Sequence, residues 1–255
     1  YKYPQTRKKA MKAKKVNLKF FPEGGNLVKG VPSQVAFEAT DAYGNPITLF
    51  GRIINRRKEE IGHFATIHEG RGVFTYIPTG EDADKAEVEL GGKKYRFDLP
   101  EVCSQGYVLH VDNLTSEDSI AVSVQKNTYT PSNLLGLAVI AHGKLLNSCL
   151  LNVGKNTPVS FKLDKSEWTP GVVQLVLFDT AGQIIADRLV FTRKPELLAV
   201  DVRKSKESYQ PFERVTLDFS VRDTTGNPVS APMSVSIRDG WEEVESRHSM
   251  LVDLL

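Results

Sequence analysis

The chain has 255 residues, of which 40% are hydrophobic and 25% are charged, and its formal net charge is +2. This composition is typical of an ordinary globular protein, and so small a charge gives no general attraction to nucleic acid or to an anionic membrane. No run approaches the roughly 18 to 20 consecutive apolar residues that span a bilayer, so we expect no membrane insertion within this segment. At roughly 100 to 150 residues per domain, the length predicts two or three domains.

The ends of the chain carry little information about folding. The first residues, YKYPQTRKKAMKAKK, are basic and contain little apolar material. We interpret residues 1–15 as a basic linker or tail in solvent, the alternative being a surface patch for phosphate or lipid head groups. No signal-peptide pattern opens the chain. Because the sequence begins without Met and stops at Leu254-Leu255, we expect it to be a piece of a longer protein.

From Val16 onward, apolar and polar residues alternate in the manner of half-buried β-strands. In VAFEATDAYGNPI, Val35 to Ile47, this alternation runs into a turn in which Asp41 can accept backbone hydrogen bonds and Gly44 can take a positive φ. Gly91-Gly92 separates two further alternating runs and predicts a two-residue hairpin. Strands spaced about 8 to 12 residues apart with Gly and Pro between them predict a β-sandwich over residues 16–100.

The same strand-and-turn sequence returns twice, as LDFSVRDTTGNPV from Leu217 to Val229 and, more loosely, as VQLVLFDTAGQII around Asp179 and Gly182. We interpret it as a hairpin-closing motif, which organises structure and performs no chemistry. The strand spacing predicts a second sandwich over 101–195. Residues 196–255 are too few for a sandwich of about 100 residues, so they predict a partial third domain with an acidic tail, and helix is expected in the tails alone.

Two details of these later domains are specific enough to test. In the third domain, Met233, Val235 and Ile237 are predicted to pair with the Leu217 strand. In the second, Val173 to Phe178 is apolar on both faces, since Val176 and Phe178 lie opposite Leu175 and Leu177. A sheet that is apolar on both faces must be covered on both. Val176 and Phe178 are therefore the candidate interface residues, for an adjoining domain or for a partner.

The residues do not assemble into a recognisable active site or cofactor site. The five histidines are scattered, and the one near pair, His63 and His68, would face opposite sides of a strand, so a metal site there is disfavoured. No nucleophile-elbow sequence surrounds a serine, and no glycine-rich phosphate loop opens a helix. Cys103 and Cys149 could form a disulfide in an oxidising compartment, but Cys149 lies in an apolar run, so we favour two free thiols.

Several segments in order resemble macroglobulin-type β-sandwich domains of large bacterial envelope proteins. They are FFPEGGNLVKG, FEATDAYGNPI, LVLFDTAGQIIADRLVF and SYQPFERVTLDFSVRDTTGNPVSAPMSVSIRD, and together they extend from about Val16 to Asp239. The resemblance implies tandem, antiparallel, immunoglobulin-like sandwiches in the periplasm or at the outer-membrane surface of an exported protein. It does not carry over protease trapping, because the Gly-Cys-Gly-Glu-Gln thioester motif is absent. In related chains such modules precede a TonB-receptor-plug domain, which would lie beyond Leu255.

Three functions are compatible with this sequence. The first is a non-catalytic structural and protein-interaction module, whose partners are an envelope protein or further domains of the same chain. The second is a carbohydrate-binding or adhesin module, in which Tyr43, Trp168 or Trp241 would stack on sugar rings. The third is a protease inhibitor of the macroglobulin kind without the thioester. No cofactor is expected under any of them.

Overall fold

The computed structural model describes residues 16–80, 84–154, 157–192 and 198–235. Within these ranges all the regular secondary structure is β-strand, and most strand pairs are antiparallel. The prediction of an all-β chain of tandem sandwiches is thus confirmed. The described part of the chain contains no helix with the length and apolarity needed to cross a membrane. The acidic tail and the basic N-terminal residues, where helix was expected, lie outside the described residues.

Two facing sheets form the first sandwich. One has the strand order β1-β3-β6 and the other β5-β4-β7-β8. Their inward residues enclose a core rich in phenylalanine, in which the Phe37 and Phe64 rings meet edge to face with centroids 4.9 Å apart. The predicted Gly91-Gly92 hairpin is confirmed, because Leu90 pairs with Lys93 across it and both glycines have positive φ. The strands are β1 (Val16–Pro22), β2 (Leu27–Val28), β3 (Ser33–Asp41), β4 (Phe50–Ile54), β5 (Glu60–Ala65), β6 (Arg71–Tyr76), β7 (Lys85–Leu90) and β8 (Lys93–Asp98).

The second sandwich repeats this plan with longer strands. Its sheets have the orders β10-β11-β14 and β13-β12-β15-β16, and its core is built from aliphatic side chains around Trp168. The short strand β2, which follows β1 of the first sandwich, pairs in parallel with the short strand β9, which precedes β10 of the second. The strands are β9 (Val102–Cys103), β10 (Tyr107–Asp112), β11 (Ser119–Lys126), β12 (Leu134–Ala141), β13 (Lys144–Asn152), β14 (Val159–Asp164), β15 (Gly171–Phe178) and β16 (Ile184–Thr192).

The described residues fall into two compact units. One comprises the described residues up to Trp168 together with Val173–Val190, and so contains both cores; the other comprises Thr169–Val172 and the described residues from Phe191 onward. In the second unit, β17 (Leu198–Lys204) and β18 (Leu217–Asp223) form a two-stranded sheet. The domain boundaries at 100/101 and 195/196 stay predictions, because both sandwiches belong to one compact unit.

The predicted partner of the Leu217 strand is wrong. β18 pairs with β17, which precedes it in the chain, while residues 230–235 form no strand. After the turn at Asp223, one bridge joins Arg222 to Pro228 and the pairing then stops. Met233 and Val235 are exposed, and Ile237 lies outside the described residues.

The three Asp-containing turns share one backbone structure. At each, the aspartate Oδ1 accepts two backbone N–H groups, as Asp41 does from Tyr43 at 2.8 Å and from Asn45 at 2.9 Å. The glycine three residues after the aspartate donates to its carbonyl and has a positive φ, with values of 84°, 79° and 87° at Gly44, Gly182 and Gly226. The sequence repeat is therefore a structural repeat.

The hairpin interpretation of this turn holds for one copy of the three. The Asp179 turn joins β15 to β16, which are neighbours in one sheet. The Asp41 turn instead carries the chain from one sheet to the other, because the N–H of Ala39 bonds to the carbonyl of Gly70 and β6 then occupies that edge of β3. The returning chain keeps a single bridge, from Thr40 to Pro46, before it leaves.

A fourth copy of the turn lies at Asn55, where the sequence INRRKEE shows no resemblance to the others. Asn55 Oδ1 accepts the N–H groups of Arg57 and Glu59, each at 2.9 Å, and Lys58 takes the glycine position with φ 64°. This turn closes the β4–β5 hairpin. An amide oxygen accepts backbone N–H groups as a carboxylate does, so Asn replaces Asp without changing the geometry.

Candidate functional site

The most connected polar side chain that links the two sandwiches is Glu23. It lies in the Pro22-Glu23-Gly24-Gly25 turn that follows β1, and its side chain is 7% exposed. A carboxylate withdrawn from water needs hydrogen-bond donors or positive charges around it. All of its partners come from the second sandwich, from β10 and β16.

Glu23 is surrounded by three donors. Its Oε2 lies 2.6 Å from His110 Nδ1, which must carry the proton because a carboxylate oxygen can only accept. Its Oε1 accepts the backbone N–H of Val111 at 3.0 Å and the Arg188 Nε–H at 3.2 Å. One side chain of the first sandwich thereby binds two strands of the second.

The glycine after Glu23 allows this approach. Gly24 has φ +76°, and a Cβ placed there would come within 3.3 Å of Ala186 Cβ and 3.5 Å of the Leu109 carbonyl oxygen. Nearby, Asn26 Nδ2 donates to the Ile185 carbonyl at 3.4 Å. The turn therefore contacts β10 and β16 through backbone as well as through side chains.

A second set of contacts continues the junction beside β2 and β9. Asn127 Nδ2 donates to the carbonyl of Lys29 at 3.2 Å and to that of Ser104 at 2.7 Å. A small apolar cluster of Val28, Val31 and Val108 lies in the same region. The junction between the sandwiches thus has its own buried apolar contact and its own satisfied polar groups, which favours a fixed arrangement over a free linker.

Sequence reasoning missed this junction. It identified FFPEGGNLVKG as part of a resemblance, but it gave no role to Glu23 or to His110. His110 is 87 residues away from Glu23 in the chain, and no local pattern connects them. The available signal was an acidic residue inside an otherwise apolar and glycine-rich turn, where it has no partner close in sequence.

The candidate interface residues lie on the outer face of the β13-β12-β15-β16 sheet. Val176 is 8% exposed and pairs with Ala138, and Phe178 is half-buried with its ring over Gly136, where a Cβ would lie 2.2 Å from the ring carbon Cζ. Much of the apolar area of both residues is therefore covered within their own sheet. Whether they also contact a partner stays a prediction.

The other residues singled out from the sequence occupy separate places. His63 lies in β5 with its ring 6.0 Å from that of Phe50, whereas His68 follows the strand in an exposed turn. The two are not on one strand, and no group of three metal-ligand side chains is found in the described ranges. Cys103 and Cys149 are free thiols in β9 and β13, and burial raises the pKa of Cys149.

The aromatic residues proposed for sugar stacking need one correction. Trp168 is 6% exposed and belongs to the core of the second sandwich, so it cannot offer a ring face to a ligand. Its place in an otherwise polar segment, DKSEWTPG, concealed that burial. Tyr43 is exposed in the Asp41 turn, and Trp241 lies outside the described residues.

Buried charged groups in the described residues have structural partners. Hydrogen bonds from Arg52 and then Arg96 lower the pKa of Glu87 to about 2. Burial, with a hydrogen bond to Asp84, raises the pKa of Tyr76 far above its usual range. Lys126 is 1% exposed and donates to the carbonyl oxygens of Thr130 and Ser132 and to Asn133 Oδ1. These arrangements stabilise sheets and loops.

Comparisons with known proteins give distant likenesses. No protein-family model matches the sequence, and no curated protein does. Among solved structures the chain is similar to E. coli alpha-2-macroglobulin in its native conformation, at 13% identity and a TM-score of 0.25, over 83% of this chain and 17% of that one. It is also similar to domains 4–9 of the surface layer protein SbsC, at 14% identity and a TM-score of 0.37 over 83% and 37%.

A third solved structure, the bacterial integrin-binding protein invasin, is 14% identical with a TM-score of 0.28 and covers 86% of this chain and 48% of its own. The chain thus spans less than half the length of each of these proteins. At such TM-scores the similarities do not distinguish macroglobulin-type domains from other β-sandwich repeats. The macroglobulin-type assignment and the receptor-plug domain therefore stay predictions.

Proposed function

We propose that this chain is a non-catalytic structural and protein-interaction segment of a bacterial cell-envelope protein. Its first two sandwiches act as one semi-rigid spacer that holds and presents further domains of the same chain or an envelope partner. The observation that supports this proposal is the junction at Glu23, where a buried carboxylate, a glycine and a small apolar cluster join the two cores. The macroglobulin-type resemblance supports the envelope location.

The junction is a suitable device for fixing an angle between two domains. A flexible linker needs neither a buried charge nor close backbone contact, whereas both are present here. Removing one partner of a buried, hydrogen-bonded charge leaves the others without compensation, which costs about 3 to 5 kcal/mol in typical cases. Arg188 and His110 are each 45% exposed, so water can solvate them once Glu23 is gone. We therefore expect the removal of the Glu23 side chain to cost no more than the lower part of that range.

The test is Glu23→Ala in the whole chain, measured by small-angle scattering and by thermal unfolding. We expect a larger radius of gyration and a separation of the unfolding of the two sandwiches into distinct transitions. The matched control is Glu38→Ala, which removes an ion pair with Arg71 inside the first sandwich and should leave both measurements as in wild type. Unchanged scattering and unchanged cooperativity in Glu23→Ala would contradict the spacer proposal.

A different measurement tests whether the chain acts by binding a partner or by catalysing a reaction. If the chain works by contact, affinity capture from envelope extracts should enrich a partner with the wild-type chain and should enrich it less with Glu23→Ala. Wild type should not hydrolyse peptide or glycan libraries. Turnover in such a library would show that an active site has been missed.

A further inference from the structure

Strand β13 differs from the other edge strands of the two four-stranded sheets. It is the first strand in the order β13-β12-β15-β16, and among the described residues only β12 pairs with it. Its sequence is KLLNSCLLN, with Leu145, Leu146 and Leu150 exposed and no charge after Lys144. By contrast, β5 contains Glu60, β16 contains Asp187 and Arg188, and β8 contains several charges.

Charged residues on an edge strand hinder the addition of another strand, whereas a long uncharged apolar edge favours it. The first third of β13 is protected by a bulge at Leu146, where the register with β12 shifts between Val139 and Ile140. From Asn147 to Asn152 the ladder is regular and the edge is open. This six-residue segment is the unprotected part.

The pairing of this segment with β12 determines which of its backbone N–H and C=O groups point toward β12 and which point away from the sheet. Val153 donates its N–H to the Asn133 carbonyl at 2.7 Å, so the residues in phase with Val153 direct their backbone groups at β12. The alternate residues direct theirs to the free edge. These outward residues are Ser148, Leu150 and Asn152, all of which have exposed side chains.

Such an arrangement is complementary to itself. We propose that two copies of this chain associate by antiparallel pairing of β13, with the two-fold axis at Leu150. Leu150 then opposes Leu150 of the second copy, and Ser148 opposes Asn152 on either side. Every outward backbone group of the segment gains a partner, no two like charges meet, and the interface is isologous.

Leu150 has the right surroundings for the central position. Its side chain is 76% exposed, and it lies on the outer face of the sheet beside Gly136, over which the Phe178 ring lies. In the dimer the two Leu150 side chains cover each other. A pair of six-residue strands is smaller than a standard interface of about 800 Å² per partner, so we expect a weak dimer that forms at high protein concentration.

The first experiment is sedimentation equilibrium of the whole chain up to the limit of its solubility. Wild type should show a concentration-dependent monomer–dimer equilibrium, and Leu150→Lys should weaken it by at least about tenfold, because a like-charge pair replaces the apolar pair on the axis. The matched control is Leu189→Lys on β16, the opposite edge strand, where the leucine is 56% exposed. It should dimerise as wild type does.

The second experiment tests the register. In a Cys103→Ser, Cys149→Ser background, Leu150→Cys should form an intermolecular disulfide under mild oxidation, because hydrogen-bonded residue pairs have Cα atoms about 5.5 Å apart. Ser148→Cys in the same background should not, since the two cysteines would lie four positions apart along the strands, about 13 Å. Far-UV circular dichroism and thermal unfolding check that each variant is folded.

Three outcomes would overturn the proposal. One is a wild-type chain that stays monomeric at all concentrations, in which case another partner or none takes this edge. Another is equal dimerisation of Leu150→Lys and wild type. The third is cross-linking through Ser148→Cys in preference to Leu150→Cys, which would place the axis elsewhere. The proposal does not depend on the spacer function, so Glu23→Ala should leave dimerisation unchanged.

Discussion

The strand-and-turn sequence occurs in two very different surroundings. In the first sandwich, VAFEATDAYGNPI places Val35, Phe37 and Ala39 in a core where none is more than 1% exposed. In the β17–β18 sheet, LDFSVRDTTGNPV has the same alternation, yet Phe219 is 37% exposed. In both turns the aspartate Oδ1 nevertheless accepts the same two backbone N–H groups, and the glycine φ is nearly the same.

The turn is determined by residues close in sequence, whereas the burial of the strand is determined by tertiary contacts. The turn depends on the aspartate, the glycine and a few backbone groups, all within five residues, so it forms wherever the sequence occurs. The burial of the strand depends on what lies opposite its apolar face, and no residue of the strand specifies that. Substitutions in the turn should therefore have equal effects in both copies, and substitutions in the strand should not.

The largest expected difference is between Phe37→Ala and Phe219→Ala. Phe37 contacts Phe64 and Phe74 and lies against Gly72, so its loss leaves a cavity and should reduce the free energy of unfolding by about 3 to 5 kcal/mol. Phe219 is partly solvated, and its loss should cost less than about 1.5 kcal/mol. Urea unfolding of both variants measures this difference. Similar losses would show that β18 is covered in solution.

The glycine of the turn should give equal losses. Gly44 and Gly226 have φ values of 84° and 87°, and a Cβ at either would meet no atom within 4 Å. The penalty for alanine is thus conformational alone, about 1 kcal/mol in each case. Unfolding of Gly44→Ala and Gly226→Ala, each followed by a probe in its own unit, measures it. A clear difference between the two would mean that packing also acts on the turn.

Sequence reasoning succeeded where a feature depends on near neighbours. It predicted the alternation in β3 and β18, the Gly91-Gly92 hairpin and the repeated Asp turn. It failed where the outcome depends on distant residues: the partner of β18, the path of the chain after Asp41, and the contact of Glu23 with His110. The prediction that Trp168 is exposed failed for the same reason, because its polar neighbours in the chain do not indicate that it packs into the core of the second sandwich.

The fourth turn offers a stabilising change. Lys58 has φ 64° where the other copies have glycine, and a side chain in that region is disfavoured by roughly 1 kcal/mol. Lys58→Gly removes this penalty but gives the unfolded chain more freedom, so we expect a net gain of about 0.5 kcal/mol. Thermal unfolding measures it, with Lys58→Ala as the control that keeps the penalty. A lower melting temperature for Lys58→Gly than for Lys58→Ala would contradict the turn assignment.

The smallest expected effect concerns acid. A hydrogen bond from the Asn45 side chain, followed by backbone N–H groups, lowers the pKa of Asp41, and a hydrogen bond from Thr225 does the same for Asp223. Because the folded pKa lies below the unfolded value of about 3.9, the stabilisation is complete above that value and is lost as the pH falls through the folded pKa.

Asp41→Asn and Asp223→Asn isolate that contribution. Asn55 already performs the role of the aspartate in the fourth turn, so the amide oxygen should keep the two backbone hydrogen bonds, and stability at neutral pH should fall only by the small contribution of the charged carboxylate. The variants lack the titrating carboxyl, so they should lose less stability than wild type on acidification below about pH 4. Unfolding midpoints measured across this range test the sign, and NMR titration of the Asp41 and Asp223 carboxyl carbons tests its origin. A steeper acid loss in the variants than in wild type would show that the carboxylates do not stabilise the turns through their charged form.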